Sequence, residues 1–385
     1  LGNSMGGERR DDYTLQTRYP ELEEALIDAA QKNGLGQDQI DLLMNSFSKR
    51  VRSNLPDITS DSMPGELANV IAGRIANAFD FNGPNFTVDA ACASSMAAVQ
   101  TAIKGLQDHD FDMAITGGAD RSMGISTFVK FAKIGALSPT HSAPFDKSAN
   151  GFVMGEGCGI LILKRLSDAL NDGDRIYATI RGVGSSSDGK GKGITAPNPK
   201  GQRIALERAY EEANIEPNSV DLVECHGTST VVGDKVELET LAAFMRELSA
   251  QNPVRVGSVK SNIGHLKSAA GAASLIKASL AIYHKTFPPT ANYKTPREDL
   301  FESAQMSLLV QTEQEKWNRS VRRAGVSAFG FGGTNFHVVL ESPPEQVSMV
   351  EAEPSTATQV KEPSSTTESS TNQENNDLIQ QAIWI

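Results

Sequence analysis

A thiol, two imidazoles, an ammonium and a carboxylate stand out in this 385-residue sequence because of what surrounds them. Cys92 lies in "VDAACASSM", between the strand-favouring run Phe86-Thr87-Val88 and the stripe Met96, Val99, Ile103, Leu106. That stripe has helical spacing, which predicts strand 86–90, a short junction and then a helix. A cysteine at a helix N-terminus meets free backbone N–H groups and the positive end of the dipole. Both favour a thiolate over the usual pKa of roughly 8.5. The small neighbours Ala90, Ala91, Ala93, Ser94 and Ser95 leave room for a bulky thioester. A lone cysteine among apolar residues is also readable as a buried structural thiol, so the other motifs must decide.

His226 closes the apolar run "VDLVECH" and opens the hydroxyl-rich turn Gly227-Thr228-Ser229-Thr230. The C-terminal end of a strand is where α/β folds build their sites. Lys260 and His265 lie in "GSVKSNIGHLKSAAGAASLIKASL", where a loop opens a helix rich in Ala, Gly and Ser. A buried ammonium beside an imidazole requires an acid, and Glu237, eleven positions after His226, is the candidate. In "SAFGFGGTNFHVVLE", Gly330, Gly332 and Gly333 permit a tight turn with accessible N–H groups, as an oxyanion hole requires. Each motif alone also reads as ordinary structure. "GKGKG" at 189–193 lacks phosphate-loop spacing and reads as a solvated turn. His109, His141, His284 and His337 have no flanking pattern and read as structural, and no spacing suggests a metal site.

The elements that must hold these groups follow from the pattern of the whole chain. Residues 1–60 are polar with two amphipathic stretches, "YPELEEALIDAAQKN" and "QIDLLMNSFSKRV", which predict helices. From about 66 to 340, runs at 86–90, 112–117, 158–164, 177–183, 220–224, 254–258 and 335–341 read as strands, with helices between many of them. This alternation predicts α/β layers whose strands are covered on both faces. The segment 342–376, rich in Ser, Thr, Pro and Glu, reads as a disordered acidic linker, and 377–385 as the start of a further unit or a docking segment. Of the net charge of −11, −6 falls after residue 341, where seven acids face one lysine. A mildly acidic body argues against nucleic acid as a partner. Three cysteines without a Cys-x-x-Cys pair suit a reducing cytosol, and no run is long enough to cross a membrane. The opening "LGN" reads as the end of a strand, which suggests a chain lacking its N-terminal segment.

Taken in order, "ACASS", "PFDKSANGFVMGEG", "ITAPN", "HGTSTVVGD", "KSNIGHLKSAAG" and "GFGGTN" resemble the β-ketoacyl synthases, the condensing enzymes of fatty acid and polyketide synthesis. The resemblance runs from about Pro64 to Glu341. "ITAPN" with Gln202 is similar to the multidomain polyketide and polyunsaturated fatty acid synthases, and "FGFGGTNFHVVLE" leans toward the latter. The resemblance implies a thiolase-like five-layer α-β-α-β-α sandwich of two related halves, with 1–341 as the ketosynthase domain. It implies Cys92 as the acyl-accepting nucleophile and His226 and His265 as the pair serving decarboxylation of a malonyl unit. Lys260 becomes the lysine beside them and Glu237 the acid that holds it. Thr228 and Thr230 become phosphopantetheine contacts. Phe331 becomes the gating phenylalanine, its N–H joining that of Cys92 in the oxyanion hole, and Phe131 an aromatic near the acyl pocket. Asn150, where "DKxxDG" members carry an acid, reads as a structural departure.

By the same resemblance the domain binds no cofactor of its own. Its substrates arrive on the phosphopantetheine of an acyl carrier protein, an acyltransferase and other synthase domains share the chain, and the domain is a cytoplasmic homodimer. Two other readings compete. A thiolase shares the fold but uses a second cysteine near the C-terminus, and no cysteine follows Cys225. A non-catalytic chain-length-factor-like partner lacks the nucleophile that Cys92 supplies. An inactive fragment of an enzyme is the remaining alternative.

Overall fold

In a computed structural model, which describes residues 1–4, 10–191, 193–247, 253–300, 307–344 and 381–384, strands and helices alternate through the body of the chain. Four helices come first: α1 (Arg10–Lys32), α2 (Gln37–Arg52), α3 (Ser62–Glu66) and α4 (Asn69–Ala78). Tyr19 of α1 stacks on Phe47 of α2 at 5.9 Å, and the Arg52 guanidinium covers the Tyr19 ring at 4.3 Å. There follow α5 (Ser94–Gln107), β1 (Met113–Asp120), α6 (Ile125–Lys133), β2 (Gly157–Arg165), α7 (Leu166–Asn171), β3 (Ala178–Ser187) and α8 (Pro199–Ala213). The remainder is β4 (Leu222–Glu224), α9 (Val231–Glu247), β5 (Val254–Gly257), α10 (Lys260–Ile263), α11 (Ala270–Tyr283), β6 (Thr286–Phe287), β7 (Leu308–Val310), β8 (Glu315–Lys316), β9 (Arg323–Gly330), β10 (Thr334–Glu341) and β11 (Gln381–Trp384).

Among the described residues, nine strands join in the order β1-β2-β11-β3-β10-β9-β4-β5-β7. The strands β4, β5, β7 and β9 run parallel, whereas β1–β2 and the β9–β10–β3 ladder are antiparallel. Residues 335–340 of β10 are buried without alternation, as expected for a strand covered on both faces. Helices α5 and α11 pack side by side against the sheet. They approach closely because their contact is made of small residues: Ser95 accepts the Ala272 N–H at 3.0 Å, and a Cβ on Gly271 would stand 2.8 Å from Met96. All four stripe residues of α5, Met96, Val99, Ile103 and Leu106, are buried. Helix α8 lies across β3 and β10. It is capped by Asn198, whose side chain accepts the Lys200 N–H at 3.1 Å, with Pro199 in its first turn.

The two halves of the fold repeat one device. A 3-10 turn at Ala91–Ala93 leads into α5 and another at Lys267–Ala269 leads into α11, both helices having 14 residues. Each turn opens on a left-handed residue, Ala91 at φ 50° and Lys267 at φ 51°. This internal likeness is what two related halves require.

One expected strand is missing from the structure. Residues 86–90 form no strand; Val88 makes one bridge, to Gly2, because that segment finds only a single pairing partner among the described residues. The apolar end of the chain, read as the start of a further unit or a docking segment, lays β11 antiparallel between β2 and β3. Most of the linker read at 342–376 falls outside the described residues. β9, β7 and the short β6–β8 pair had no counterpart among the expected strands.

The sheet's contact with α8 depends on absent side chains. A Cβ on Gly184 would fall 1.9 Å from the carbonyl oxygen of Ala205, and one on Gly182 would fall 2.4 Å from that of Ala209. Backbone cannot yield as a flexible side chain does, so α8 must move. Gly184→Ala is expected to cost about 1–3 kcal/mol or more, the range of core overpacking, read as a lower urea midpoint with an unchanged slope.

Candidate active site

Cys92 sits in the 3-10 turn before α5, where the main chain is bent sharply and then tied. Asp89 accepts the Ala91 N–H at 2.9 Å, while the Ser94 hydroxyl accepts from the Ala90 N–H at 2.9 Å and donates to the Ala91 carbonyl at 2.6 Å. These bonds offset the strain of a non-glycine residue in the left-handed region, of order 1–3 kcal/mol. The β9–β10 hairpin arrives from the other half of the fold. A Cβ on Gly330 would lie 2.3 Å from the Ala90 carbonyl, so only glycine lets the hairpin come this near. It brings the Phe331 N–H to the Cys92 sulfur, with Gly332 and Gly333 at φ 95° and 78° completing the turn.

Cys92 is nevertheless buried, and burial pushes its thiol up to about 11, against the smaller opposing pull of Lys260 and the Phe331 N–H. The helix-terminus argument for a thiolate therefore loses to desolvation in this turn. A buried anion forfeits far more solvation than one helix end returns.

His226 follows Cys225 immediately after β4, and its ring Nδ1 accepts the Phe329 N–H at 3.3 Å. His265 sits between α10 and α11, and its Nδ1 accepts the Lys267 N–H at 3.0 Å. An amide N–H can only donate, so each neutral ring carries its proton on Nε2. Burial holds both rings well below the usual histidine range, and the Lys260 charge adds to the effect on each. The two ring centroids are 5.6 Å apart at 85°. Two neutral imidazoles thus each offer one Nε2–H.

Lys260, 1% exposed, donates from Nζ to the His226 carbonyl at 2.5 Å. Burial lowers its pKa, and the charges of Glu224 and Glu237 oppose that shift. Glu237 is placed differently from the sequence reading. Its carboxylate accepts the N–H groups of His226 and Gly227 at 2.7 and 2.8 Å, so it fixes the backbone that carries the imidazole and reaches the ammonium through charge alone. Glu224, which sequence reasoning passed over, is the larger countercharge and is itself paired with Lys277 at 2.8 Å. Its sign in the sequence was its place at the end of an apolar strand. Asp234, also missed, is buried one turn before Glu237 and accepts the Phe145 N–H at 2.8 Å; burial raises it to about 7.

Cys92, His226, His265 and Glu237 line one cavity of about 450 Å³, together with Thr228, Thr230, Phe131 and Phe331. Lys260 stands behind the wall. The Thr228 and Thr230 hydroxyls lie 2.9 Å apart. Phe131 is 6.4 Å from Phe331 and 5.6 Å from Phe152, whose ring in turn meets His265 edge-on at 4.8 Å. Asn150 also faces the cavity, so its reading as purely structural is too narrow. His337 is buried at 0% exposure and bonded to Ser327 at 2.9 Å, in keeping with a structural role. Among the described residues no group of His, Cys, Asp and Glu is arranged to hold a metal ion, and no helix is long and apolar enough to cross a membrane.

Comparison with known proteins agrees with the arrangement. Residues 34–169 match the model of the β-ketoacyl synthase N-terminal domain, 177–294 that of its C-terminal domain, and 296–383 the ketoacyl-synthetase C-terminal extension. The chain belongs to the β-ketoacyl synthase family. It is 41% identical to a polyunsaturated fatty acid synthase polypeptide of Thraustochytrium sp. over 356 residues, 89% of this chain and 12% of that protein. It is 39% identical over 302 residues, 77% of this chain and 16% of the relative, to a phenolphthiocerol/phthiocerol polyketide synthase polypeptide of Mycobacterium tuberculosis. Among solved structures, the ketosynthase from module 6 of the bacillaene synthase of Bacillus subtilis superposes with a TM-score of 0.70 at 40% identity, over 75% of this chain and 53% of that one. The ketosynthase fold expected from the sequence is thus shown. The chain spans only a small part of the curated synthases it matches, and about half of the solved ketosynthase chain.

The desolvated thiol has a measurable consequence. Alkylation of Cys92 by iodoacetamide, followed by mass spectrometry of its peptide, is expected to accelerate about tenfold per pH unit from 7 to 10 with no plateau, because the thiolate fraction keeps rising below a pKa of about 11. A plateau above about pH 8 would restore the helix-terminus reading.

Proposed function

We propose that this ketosynthase domain catalyses decarboxylative condensation of an acyl group on Cys92 with a malonyl unit on acyl carrier protein. The observation that carries this reading is the occupation of both imidazole Nδ1 atoms by backbone N–H donors, which leaves two Nε2–H groups for one developing negative charge. The Cys92 sulfur attacks the incoming acyl thioester, and the carrier's thiol leaves with the proton. Next the bond from the malonyl carbon to its carboxylate breaks. CO2 departs and the electron pair becomes an enolate, whose oxygen the two Nε2–H groups stabilise. The enolate carbon attacks the acyl-Cys92 carbonyl; the tetrahedral oxyanion faces the N–H groups of Cys92 and Phe331. Collapse breaks the C–S bond and releases the 3-ketoacyl-carrier. Holding both reactants in one cavity supplies much of the rate.

In this reading Thr228 and Thr230 bond the phosphopantetheine arm near the cavity, Phe331 gates it, and Phe131 borders the acyl end. No cofactor is needed beyond the carrier's own arm. The acyltransferase and carrier domains belong to the same synthase chain, and the greater extent of the Thraustochytrium match favours polyunsaturated fatty acid synthesis over polyketide synthesis. Three free cysteines suit the cytosol. Ile125, Phe128 and Val129 of α6 are exposed, which suits burial in a homodimer, and light scattering at twice the monomer mass is the expected result.

The two half-reactions separate by mutation. Cys92→Ala is expected to abolish acyl loading yet retain CO2 release from malonyl-carrier, since both imidazoles remain. His265→Ala is expected to keep loading while decarboxylation falls by on the order of 10²–10³, the usual cost of one oxyanion donor. Loading followed by intact mass and CO2 followed by radiolabel distinguish them; the opposite pattern would overturn the roles.

A further inference from the structure

One buried charge pair beside the cavity takes no part in these steps. The Lys267 ammonium lies 3.2 Å from Asp120 Oδ1, with side chains only 1% and 0% exposed. The Ser268 hydroxyl donates to Asp120 Oδ2 at 2.7 Å. Neither charged side chain lines the cavity. An ion pair buried so deeply is weak support for stability, because apolar residues of similar volume often serve as well. Its position relative to His265 offers a better account.

The N–H that occupies His265 Nδ1 is that of Lys267 itself, and Lys267 stands at φ 51°, a conformation that disfavours any residue with a side chain. The far end of the Lys267 side chain is tied down: Nζ donates to the Gly155 carbonyl at 2.6 Å. Gly155 in turn donates its N–H to the His265 carbonyl at 3.0 Å, and the His265 N–H bonds the Val153 carbonyl at 2.8 Å. The hydrogen bonds therefore close a ring, from the Lys267 backbone to the imidazole, through the His265 backbone to Gly155, and back through the ammonium. Asp120 anchors that ring to the end of β1. The Lys267 charge also disfavours an imidazolium at His265.

We propose that Lys267 and Asp120 are positioning residues for His265, the buried pair locking the turn that keeps this imidazole an Nε2–H donor. In its kinetic consequence the inference rests on the ketosynthase reading above; in its structural consequence it does not. The test uses the full chain and the double variant Lys267→Met/Asp120→Asn, which removes both charges and leaves neither unpaired. With ¹⁵N-labelled histidine, wild-type His265 is expected to show a single Nε2–H tautomer and the double variant a mixture. The kcat for CO2 release is expected to fall about 10- to 100-fold, the scale of a small misplacement, with KM for malonyl-carrier and Cys92 loading within about twofold. A double variant that melts cooperatively and keeps the single tautomer, or keeps the wild-type kcat, would overturn the proposal. Wild-type protein that releases no CO2 would refute the ketosynthase reading, and the tautomer comparison would still decide the positioning. Should that variant not fold, Lys267→Gln/Asp120→Asn, which likewise leaves no charge unpaired and retains hydrogen-bonding groups at both positions, carries the same readings.

Discussion

An ammonium and two imidazoles desolvated beside one cavity wall permit one distribution of charge, in which the rings are neutral and the lysine is balanced by distant carboxylates. Much of the local structure follows from this constraint. Neutral rings can be held by backbone donors, and each is held at Nδ1 by an amide from a different part of the chain, Phe329 of β9 and Lys267 of the turn before α11. The acids that balance Lys260 act on its ammonium from a distance: Glu237 gives its oxygens to two backbone N–H groups, and Glu224 is paired with Lys277. Positioning and neutralisation are thereby assigned to the same carboxylates.

Such a wall requires main-chain atoms to converge within hydrogen-bond reach, and the fold accepts strain to bring them there. Left-handed residues gather around the cavity: Ala91 before the thiol, Gly227 and Ser229 after His226, Gly264 and Lys267 on either side of His265. Only two of these five are glycines. Of the others, Ala91 is fastened by Asp89, Ser229 by the Ala143 and Gly151 amides, and Lys267 by the His265 ring. Strain concentrated at one place in a fold and relieved by local bonds marks a site where geometry matters more than local conformational preference.

The thiol shows how competing effects are ranked by size. A helix terminus contributes about 0.3–1 kcal/mol to an adjacent anion, whereas removing a polar or charged group from water costs several times that. The turn at Cys92 supplies both, together with the Phe331 N–H, and burial prevails. A cysteine that rests as the thiol is protected from adventitious oxidation, which acts on thiolates.

The sequence by itself singled out the candidate residues that the fold brings to one cavity, the helix after Cys92 and the α/β alternation. Each of these is written in local patterns: a 3-4-3 apolar stripe, a histidine at the end of an apolar run, glycines in a hairpin. The order of six motifs was enough to indicate the family, because homologous folds preserve the residues that meet at the site. What tertiary structure alone decided was of another kind. Whether Glu237 meets an ammonium or two amides, whether Cys92 is a thiol or a thiolate, and which nitrogen of each imidazole bears the proton all depend on groups far apart in the chain or on burial. The Lys267–Asp120 pair joins positions 147 apart, and "GGAD" and "GHLKS" show no local sign of it. Strand 86–90 failed for the same reason: β propensity is a preference for a partner, and among the described residues Val88 bonds only the short stretch from Leu1 to Asn3.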